Sequence, residues 1–318
     1  MTTKNQKVLI TGGAGFIGAN LARKLISDSG FKVFIIEKNG VNLWRLEGIL
    51  SSITINYTDI ENLAELQKTI DDIKPDFVFH LATYGVYSAI QTDVRKMIDI
   101  NIKGTLNLID ALKNCNVRCF IHTASCGEYK AKKSSLNEND PVDPSNAYHI
   151  TKLTTELLLK KVVAQTKMSV INLRLFTAYG FYEDGQRLIP HIILNALDNK
   201  NVDLSSPNYV RDFIFIEDLT DAFLKIIKNK KRYQADTFNI GSGRQHNIES
   251  VVKTIEKLLG KKINAKYGKR KSYYEEPDFF QANNKKAKVE FNWKPTHSLE
   301  SGIAKTINWF KENKEYYL

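Results

Sequence analysis

The stretch KVLITGGAGFIG at residues 7–18 decides the fold of this chain of 318 residues. Its first half is apolar and indicates a buried parallel strand, and Gly12, Gly15 and Gly18 follow directly. Glycines at a strand-to-helix turn let the backbone bend tightly and let a pyrophosphate approach the amides of a helix N-terminus. An amphipathic run at residues 19–26 supplies that helix. The stretch therefore predicts a dinucleotide-binding turn.

A second motif, YHITK at residues 148–152, places Tyr148 and Lys152 on one face of a predicted helix, because positions i and i+4 are neighbours there. A phenol loses its proton with difficulty near neutral pH, since the reference pKa of tyrosine is about 10. A nearby ammonium favours the phenolate. Tyr148 can then exchange a proton with a substrate hydroxyl.

Composition bounds the class of protein. The chain is 42% hydrophobic and 25% charged, which suits one large α/β domain or two coupled lobes. No continuous apolar run is long enough to cross a membrane, and the opening residues MTTKNQK show no secretory signal. Cys115, Cys119 and Cys126 have neither metal-site nor disulfide-framework spacing. We therefore expect a cytoplasmic protein with reduced thiols, no metal and no membrane partner.

The net charge of +11 raises the question of a nucleic-acid partner. The lysines are spread along the chain, and their short runs, such as residues 228–232 and 269–271, are typical of solvated helix ends and loops. We expect no nucleic-acid partner. A positive field would still favour an anionic small substrate.

Strand and helix patterns alternate through the first half of the chain and then loosen. Strands are predicted at residues 7–11, 32–37, 52–56, 76–80, 118–123 and 169–174. Helices are predicted at residues 16–29, 61–73, 92–114, 146–166, 187–199, 217–230, 247–260 and 298–313. The order predicts an α/β protein with a doubly wound parallel sheet and a smaller, interleaved C-terminal lobe.

Segments from most of the chain resemble one family, the extended short-chain dehydrogenase/reductases that act on nucleotide sugars. They are TGGAGFIG at 11–18, HLAT at 80–83, NIKGT at 101–105, YHITK at 148–152, LRLFTAYG at 173–180 and RDFIFIED at 211–218. The resemblance implies a Rossmann domain at residues 1–170 with a return segment at about 211–234. It also implies a substrate-binding lobe at residues 171–210 and 235–318.

The resemblance implies a nicotinamide dinucleotide as cofactor. Glu37 ends the second predicted strand, where an acid binds the adenosine ribose and repels a 2′-phosphate, so it favours NAD. Lys38 and Arg45 could hold a 2′-phosphate, which keeps NADP possible. His80 is expected to be a core histidine. The residues expected to bind the cofactor are Gly12, Gly15, Phe16, Ile17, Gly18, Glu37, Lys38, Asp59, Ile60, Leu81, Ala82, Thr83, Asn101, Tyr148 and Lys152.

Ser125 completes the expected catalytic set with Tyr148 and Lys152. It lies four residues before Tyr129, where the family carries a Ser or Thr whose hydroxyl hydrogen-bonds the reacting sugar oxygen. Dehydratases of the family carry acids just after that residue, whereas this chain has Cys126 and Gly127. Neither can relay a proton as a carboxylate could, so dehydration is disfavoured.

Two reactions at sugar C4 remain open. A Glu directly before the Tyr, as Glu128 before Tyr129, is similar to the pattern of the 4-keto-6-deoxysugar reductases. A reductase of this kind is therefore the first expectation. Glu37 and the F-T-x-Y-G pattern around Thr177 support a 4-epimerase with tightly bound NAD as the alternative. A non-catalytic dinucleotide sensor is the third possibility, although such proteins typically lose the Tyr or the Lys, and this chain has both.

The resemblance also implies the substrate and the assembly. The partner is expected to be a nucleotide-diphosphate sugar, with Arg211 as a fork of donors for its diphosphate. Residues expected to bind it are Tyr84, Glu128, Thr177, Arg187 and Arg211. A homodimer is expected through the helices at 92–114 and 146–166, which carry apolar residues beyond the needs of the sheet, for example Ile98, Ile102, Leu106, Leu153, Leu157 and Val163.

Overall fold

The computed structural model describes residues 5–28, 30–87, 90–163, 166, 168–270 and 278–317. Residue 29 of the first predicted helix, residues 164 and 165 of the fourth, and residue 271 of the second lysine run lie outside the described residues. The chain divides into two compact units. Unit 1 comprises Met1–Glu128, Val142–Arg174 and Phe223–Phe238, and unit 2 comprises Tyr129–Pro141, Leu175–Ala222 and Asn239–Leu318.

The strands are, in chain order, β1 Gln6–Thr11, β2 Phe31–Glu37, β3 Ile53–Tyr57, β4 Phe77–His80, β5 Cys119–Ser125, β6 Ser169–Leu175, β7 Thr177–Tyr179, β8 Val202–Asp203, β9 Val210–Phe215, β10 Gln234–Ile240, β11 Gln245–Asn247 and β12 Ala265–Lys266. The helices are α1 Phe16–Ser27, α2 Leu63–Ile73, α3 Val94–Met97, α4 Gly104–Leu112, α5 Ala147–Val162, α6 Leu188–Leu197, α7 Ile216–Lys228, α8 Ile248–Leu259, α9 Lys285–Phe291 and α10 Leu299–Glu312. A π-helical turn, Ile98–Lys103, joins α3 to α4.

In the described part of the chain, seven strands form one sheet in the order β10-β6-β5-β4-β1-β2-β3. Strand β1 pairs in parallel with β2 and with β4, and β2–β3 and β4–β5 are parallel too. Strands β4 and β5 are buried along almost their whole length, as expected of strands covered on both faces. The expected α/β doubly wound parallel sheet is confirmed.

The carboxyl ends of the strands place the expected motifs at one edge of this sheet. The glycine turn follows β1, Glu37 ends β2, the Asp59 segment follows β3, and Ser125 ends β5. In doubly wound sheets ligands bind outside this edge. The core beneath it is formed by apolar side chains of the sheet and of α2, α4 and α5, for example Leu9, Leu66, Leu108, Phe120 and Leu159.

Unit 2 contains short strands and most of the later helices. Strand β9 pairs in parallel with β7 and antiparallel with β11, and β8 pairs in parallel with β12. Tyr179 packs against Phe215, with ring centroids 5.6 Å apart. Trp293 is almost fully buried and donates its indole N–H to the Asp218 carbonyl. Strands β7 to β12 and helix α9 were not among the expected elements.

The bounds of the two units differ from the expected division. Residues 129–141 belong to unit 2, because the Leu136 backbone pairs with Gln281 and Asn283 and accepts the Asn239 side-chain amide. The return segment of unit 1 begins at Phe223, whose ring packs against Phe79 at 5.3 Å. That unit 2 binds substrate stays a prediction.

The predicted helix at 92–114 is broken by the π-helical turn. The Asn101 carbonyl accepts hydrogen bonds from the hydroxyls of Thr105, at 2.6 Å, and Thr155, at 3.0 Å. These side chains take the place of the regular helical partner, and Thr155 belongs to the neighbouring helix α5. Wide turns of this kind occur often at functional sites, where they aim one side chain. Here the turn directs the Asn101 amide inward.

Helix α5 has a polar buried side. Thr151, Lys152, Thr155 and Glu156 are buried, whereas Leu157 is 52% exposed. An ordinary surface helix shows the opposite arrangement, with its apolar residues facing the core. Val163, which was expected to contribute to a dimer surface, is instead part of the core of unit 1, so that expectation was wrong.

Candidate active site

The glycine turn forms a close-packed cradle that excludes side chains. Gly12 has φ +72°, and a Cβ there would lie 2.7 Å from the Ala82 nitrogen. A Cβ on Gly18 would lie 2.4 Å from the Gly12 carbonyl oxygen. Gly15, by contrast, is exposed at the start of α1, and no side chain caps the amides there. An open helix N-terminus without a Cβ fits a pyrophosphate, so these residues fit the expected dinucleotide.

Glu37 is tied to this cradle. Its carboxylate accepts the Ala14 backbone N–H at 2.6 Å. Burial raises the pKa of Glu37, and the Ala14 hydrogen bond opposes that effect. The acid is therefore fixed directly beside the glycine turn, where the adenosine ribose of a dinucleotide is expected.

The Lys38 ammonium is paired with two carboxylates. Its ammonium lies 3.1 Å from an Asp59 oxygen and 2.5 Å from a Glu61 oxygen. Partial burial lowers the pKa of Lys38, but the hydrogen bonds that its ammonium donates to Glu61 and Asp59, together with their charges, outweigh burial and raise the pKa overall. Arg45 lies with its guanidinium 4.5 Å from the centre of the Trp44 ring.

The side chains of Ile60 and Asn101, two of the expected cofactor residues, pack inside unit 1. The Ile60 side chain is part of the core of unit 1 and packs where a Gly104 Cβ would be, so only its backbone is available to a ligand. The Asn101 side chain is also buried, and its amide is engaged with Thr83, Tyr84 and Thr151. A contact of Asn101 with the cofactor stays a prediction; in the structure its amide joins the segment after β4 to helix α5.

The remaining residues of that segment are partly exposed. Leu81, Ala82, Thr83 and Tyr84 are half-buried, as are Phe16 and Ile17 at the start of α1. The expected core role of His80 is confirmed, because its ring nitrogens lie 2.7 Å from the Thr11 hydroxyl and 2.8 Å from the Thr105 hydroxyl. Burial and the Lys152 charge lower the pKa of His80 to about 3, so it stays neutral.

Helix α5 carries Tyr148 and Lys152 and begins beside the turn that follows β5. Asn146 caps α5 by accepting the His149 N–H at 2.9 Å. The turn Cys126–Glu128 packs directly on that first helical turn, since a Cβ on Gly127 would lie 2.1 Å from the His149 ring. Sequence reasoning missed this requirement for glycine at position 127. The turn holds Ser125 and the start of α5 together.

The polar groups of this site differ in exposure. Tyr148 and Ser125 are half-buried, whereas Lys152 is buried. Burial lowers the pKa of Lys152 to about 8, and the charge of Glu128 opposes that shift. The Ser125 hydroxyl oxygen accepts the Gly127 N–H at 3.2 Å, which leaves its own O–H free to donate. A buried lysine beside a half-exposed phenol is suited to proton transfer.

Glu128 was expected to bind substrate, and the structure corrects this, because its side chain is fully buried. One carboxylate oxygen accepts the Ser125 N–H at 2.8 Å, and the other lies 3.0 Å from the Arg174 Nε. Arg174 also binds Glu156 through Nε and Nη2, at 3.1 and 2.9 Å. Sequence reasoning missed both Arg174 and Glu156.

These three residues, Glu128, Arg174 and Glu156, form what we call the buried ion cluster. Burial, followed by the neighbouring Glu156 charge, raises the pKa of Glu128 to about 8. Glu156 is also desolvated, but Arg174 and Lys160 hold the pKa of its carboxyl below the ordinary value. Thr237 donates a further hydrogen bond to Glu156 at 2.9 Å. The cluster joins the backbone of Ser125 to the helix that carries Lys152.

Unit 2 contains the other expected substrate residues. Thr177 begins β7, Arg187 precedes α6, and Arg211 lies in β9. Arg187 is 40% exposed and lies 3.8 Å from Glu183, and Arg211 donates to the Val210 carbonyl at 2.7 Å. The neighbouring Asp212 is structural, as expected, because its buried carboxylate accepts from Ser242, Gly243 and Ala282.

Two features are absent from the described residues, a metal-binding cluster and a helix able to cross a membrane. No group of three or more His, Cys, Asp or Glu side chains is arranged to hold a metal ion within those residues. None of the helices described has both the length and the apolar composition needed to cross a membrane.

A parallel doubly wound sheet, a glycine cradle at the end of β1, and a Tyr–Lys pair on α5 define an extended short-chain dehydrogenase/reductase. The NAD dependent epimerase/dehydratase family model matches residues 8–241, and the chain belongs to that family. It is an NAD-dependent enzyme, and the expected use of NAD is confirmed.

Relatives cover nearly the whole chain. It is 28% identical over 331 residues to a UDP-glucose 4-epimerase of Lactobacillus helveticus, with 98% of this chain and 99% of that protein covered. It is 27% identical to a dTDP-glucose 4,6-dehydratase of Neisseria meningitidis serogroup B, over 98% of this chain and 95% of the other.

A crystal structure gives a comparison of shape. The UDP-glucuronic acid 4-epimerase from Bacillus cereus, solved with UDP-glucuronic acid and NAD, superimposes with a TM-score of 0.88 at 27% identity. The match covers 97% of this chain and 100% of the other.

Proposed function

We propose that the protein is a nucleotide-diphosphate-sugar 4-epimerase that retains its NAD. One observation carries the choice of reaction: the only carboxylate in the turn after Ser125 is that of Glu128, and it is buried against Arg174. The half-buried Cys126 and Gly127 occupy the other two positions. No acid of this turn is therefore available for the elimination of water, although dehydratases are among the relatives.

The same observation weakens the reductase expectation. That expectation depended on Glu128, whose engagement with Ser125 and Arg174 is structural and does not distinguish reduction from epimerisation. The similar proteins do not confirm a 4-keto-6-deoxysugar reductase, and the match to a UDP-glucose 4-epimerase and to a UDP-glucuronic acid 4-epimerase supports the alternative.

Lys152, Tyr148 and Ser125 have separate roles in the proposed reaction. The Lys152 ammonium favours loss of the Tyr148 phenol proton, and Tyr148 then takes the proton of the sugar 4-hydroxyl. The free O–H of Ser125 donates to the same sugar oxygen and stabilises the charge that develops there. NAD held at the glycine cradle beside Glu37 would supply the hydride acceptor and donor for C4. Tyr148 gives the proton back to the C4 oxygen, so no net oxidation occurs.

The experiment is an incubation of the purified protein with UDP-glucose, UDP-glucuronic acid or dTDP-glucose, without added cofactor. The proposal expects a 4-epimer, identified by NMR, from at least one sugar and no net change in reduced nicotinamide. A 4-keto-6-deoxy product would show a dehydratase. Consumption of added NADH in step with reduction of a 4-keto-6-deoxy sugar, without epimer, would show a reductase.

Tyr148→Phe tests the proton donor. The change removes one hydroxyl and little volume, and it should lower turnover by about two to four orders of magnitude while NAD stays bound. Tyr129→Phe is the matched control, because the Tyr129 hydroxyl donates to Asn239 at 2.7 Å inside unit 2. Near-normal turnover of the Tyr148 variant would contradict the assignment.

Arg211 stays the proposed ligand of the substrate diphosphate. Arg211→Ala should weaken binding of the nucleotide sugar by about 1.5 to 3 kcal/mol, the range for hydrogen bonds to charged groups. The diphosphate is bound equally in the ground state and in the transition state, so the loss should appear in KM more than in kcat. Calorimetry with NAD is the control, since its affinity should not change. An unchanged KM would place the diphosphate elsewhere.

We also propose a homodimer through α3, the π-helical turn and α5, which pack together in unit 1. Val94, Ile98, Ile150 and Leu157 are between 42% and 52% exposed on these elements. Apolar side chains that share a surface favour burial against a second copy. Leu157→Glu should give the monomer mass by light scattering, whereas Val289→Glu on α9 should not.

A further inference from the structure

Three charged side chains meet where β2 and β3 end. Glu37 ends β2 and Lys38 follows it, while Asp59 and Glu61 follow the adjacent strand β3. The Lys38 ammonium contacts Asp59 at 3.1 Å and Glu61 at 2.5 Å. Lys38, Asp59 and Glu61 form what we call the exposed ion cluster, since Lys38 and Asp59 are about half exposed. In this cluster one cation contacts two carboxylates, so the cluster carries a net negative charge.

The two acids are held in place by the backbone. The Asp59 carboxylate accepts the Glu61 N–H at 2.9 Å, and the Asn107 side chain of α4 donates to the carbonyls of Ile60 and Glu61. The Asp59 carboxylate and the backbone that carries Glu61 are therefore held in place by the protein itself. The position of the Lys38 ammonium is set by its contacts with these two carboxylates.

This end of the sheet is where dinucleotide folds distinguish the ribose 2′-hydroxyl from a 2′-phosphate. A lysine directly after the second strand could pair with such a phosphate, as its position in the sequence indicates. Here a phosphate could recruit Lys38 only by displacing Asp59 and Glu61, which would leave two more anions facing it. Like charges in a common site disfavour binding.

We propose that Glu61 is a specificity-determining residue that excludes 2′-phosphorylated dinucleotides by holding Lys38. The acid acts through the lysine as well as through its own charge. The inference concerns only the adenosine half of the cofactor, so it does not depend on which sugar reaction the enzyme performs. Failure of the 4-epimerase proposal would leave it untouched.

The experiment is calorimetric titration of nucleotide-free protein with NAD and with NADP at low salt. Glu61→Gln should raise the affinity for NADP about three- to ten-fold and leave that for NAD within about two-fold, as expected for a screened surface charge. Glu65→Gln is the control, because Glu65 is an exposed acid in the first turn of α2.

Glu61 could exclude a 2′-phosphate by holding Lys38 or by its own negative charge, and Lys38→Met distinguishes these two effects. In the native background it should leave the affinity for NADP nearly unchanged, because Lys38 is already engaged. Combined with Glu61→Gln, it should reduce the gain to about two-fold or less. An unchanged affinity for NADP in Glu61→Gln, or a full gain that persists without Lys38, would overturn the proposal. Arg45→Met in the Glu61→Gln background should keep the gain; loss of it there would assign the phosphate to Arg45 instead.

Discussion

Unit 1 contains the same combination of charges twice, in opposite surroundings. In the buried ion cluster Arg174 lies between Glu128 and Glu156, and in the exposed ion cluster Lys38 lies between Asp59 and Glu61. Both have one cation and two carboxylates at similar distances. The two clusters differ in their exposure to water. The carboxylates of the buried cluster are fully buried, whereas those of the exposed cluster are 34% and 40% exposed.

The surroundings change the charge that each cluster carries. In the buried cluster the pKa of Glu128 rises to about 8, so near neutral pH this carboxyl keeps its proton and the three residues are close to neutral. In the exposed cluster water screens the three charges, and the hydrogen bonds of the acids raise the pKa of Lys38. The buried cluster is thus suited to fix a backbone, and the exposed one to repel an anion.

Arg174→Met should have the largest effect on stability. It removes the only cation inside the buried cluster and leaves the buried Glu156 carboxylate with the partly exposed Lys160 as its one charged partner, which costs about 3 to 5 kcal/mol of unfolding free energy. Urea unfolding followed by circular dichroism measures this. A loss below about 1 kcal/mol would mean that water enters the cluster, and the contrast between the two clusters would fail.

Lys152→Met should act in the opposite direction. Burial lowers the pKa of Lys152 to about 8, from an ordinary value of 10.5, so at neutral pH the fold carries a desolvated charge. Removing it should stabilise the protein by about 1 to 3 kcal/mol at pH 7 while turnover is lost. The gain should shrink as the pH rises from about 8 to about 10.5, because there folded Lys152 is already neutral. Lys161→Met, at an exposed position of α5, is the control and should change neither the stability nor the turnover. A loss of stability in Lys152→Met would contradict this account.

The contrast also shows which features the sequence could predict. The glycine turn, the strands β1 to β6 and the Tyr148–Lys152 spacing are local patterns, and periodicity and neighbour relations describe them well. Short strands such as β7, β8, β11 and β12 have only two or three residues, which is too few for a recognisable alternation.

The partners of Glu128 and Asn101 are distant in the sequence and were not predicted for that reason. Arg174 is separated from Glu128 by 46 residues, and Thr155 from Asn101 by 54. Charged residues are seldom fully buried without a partner, and the partner of Glu128 is the distant Arg174 rather than one of the lysines close to it in the sequence. Helix α5 adds to the difficulty, because its buried side is polar and its periodicity suggests the wrong face.

Glu128→Gln tests the charge state of the buried cluster. The folded pKa of Glu128, about 8, lies above the ordinary value of 4.5, so the native protein loses stability as the pH rises between these values. Glutamine cannot ionise but can still accept the Ser125 N–H. Between about pH 5.5 and 8.5 the variant should therefore gain about 1 to 2 kcal/mol relative to the native protein. Parallel pH dependences of the two proteins would show that Glu128 is already ionised at low pH.

Lys38→Met should have the smallest effect on stability. Exposed ion pairs contribute about 0 to 1 kcal/mol, because water already screens the charges and holding the side chains costs entropy. The lost free energy of unfolding should therefore stay below about 1 kcal/mol and shrink further in about 1 M NaCl, where the screening length falls to about 3 Å. The Arg174→Met loss should change little with salt, because its charges are buried. A salt-insensitive loss of several kcal/mol in Lys38→Met would show that the exposed cluster is desolvated, and then its acids could not act as the screened anionic barrier proposed for the cofactor.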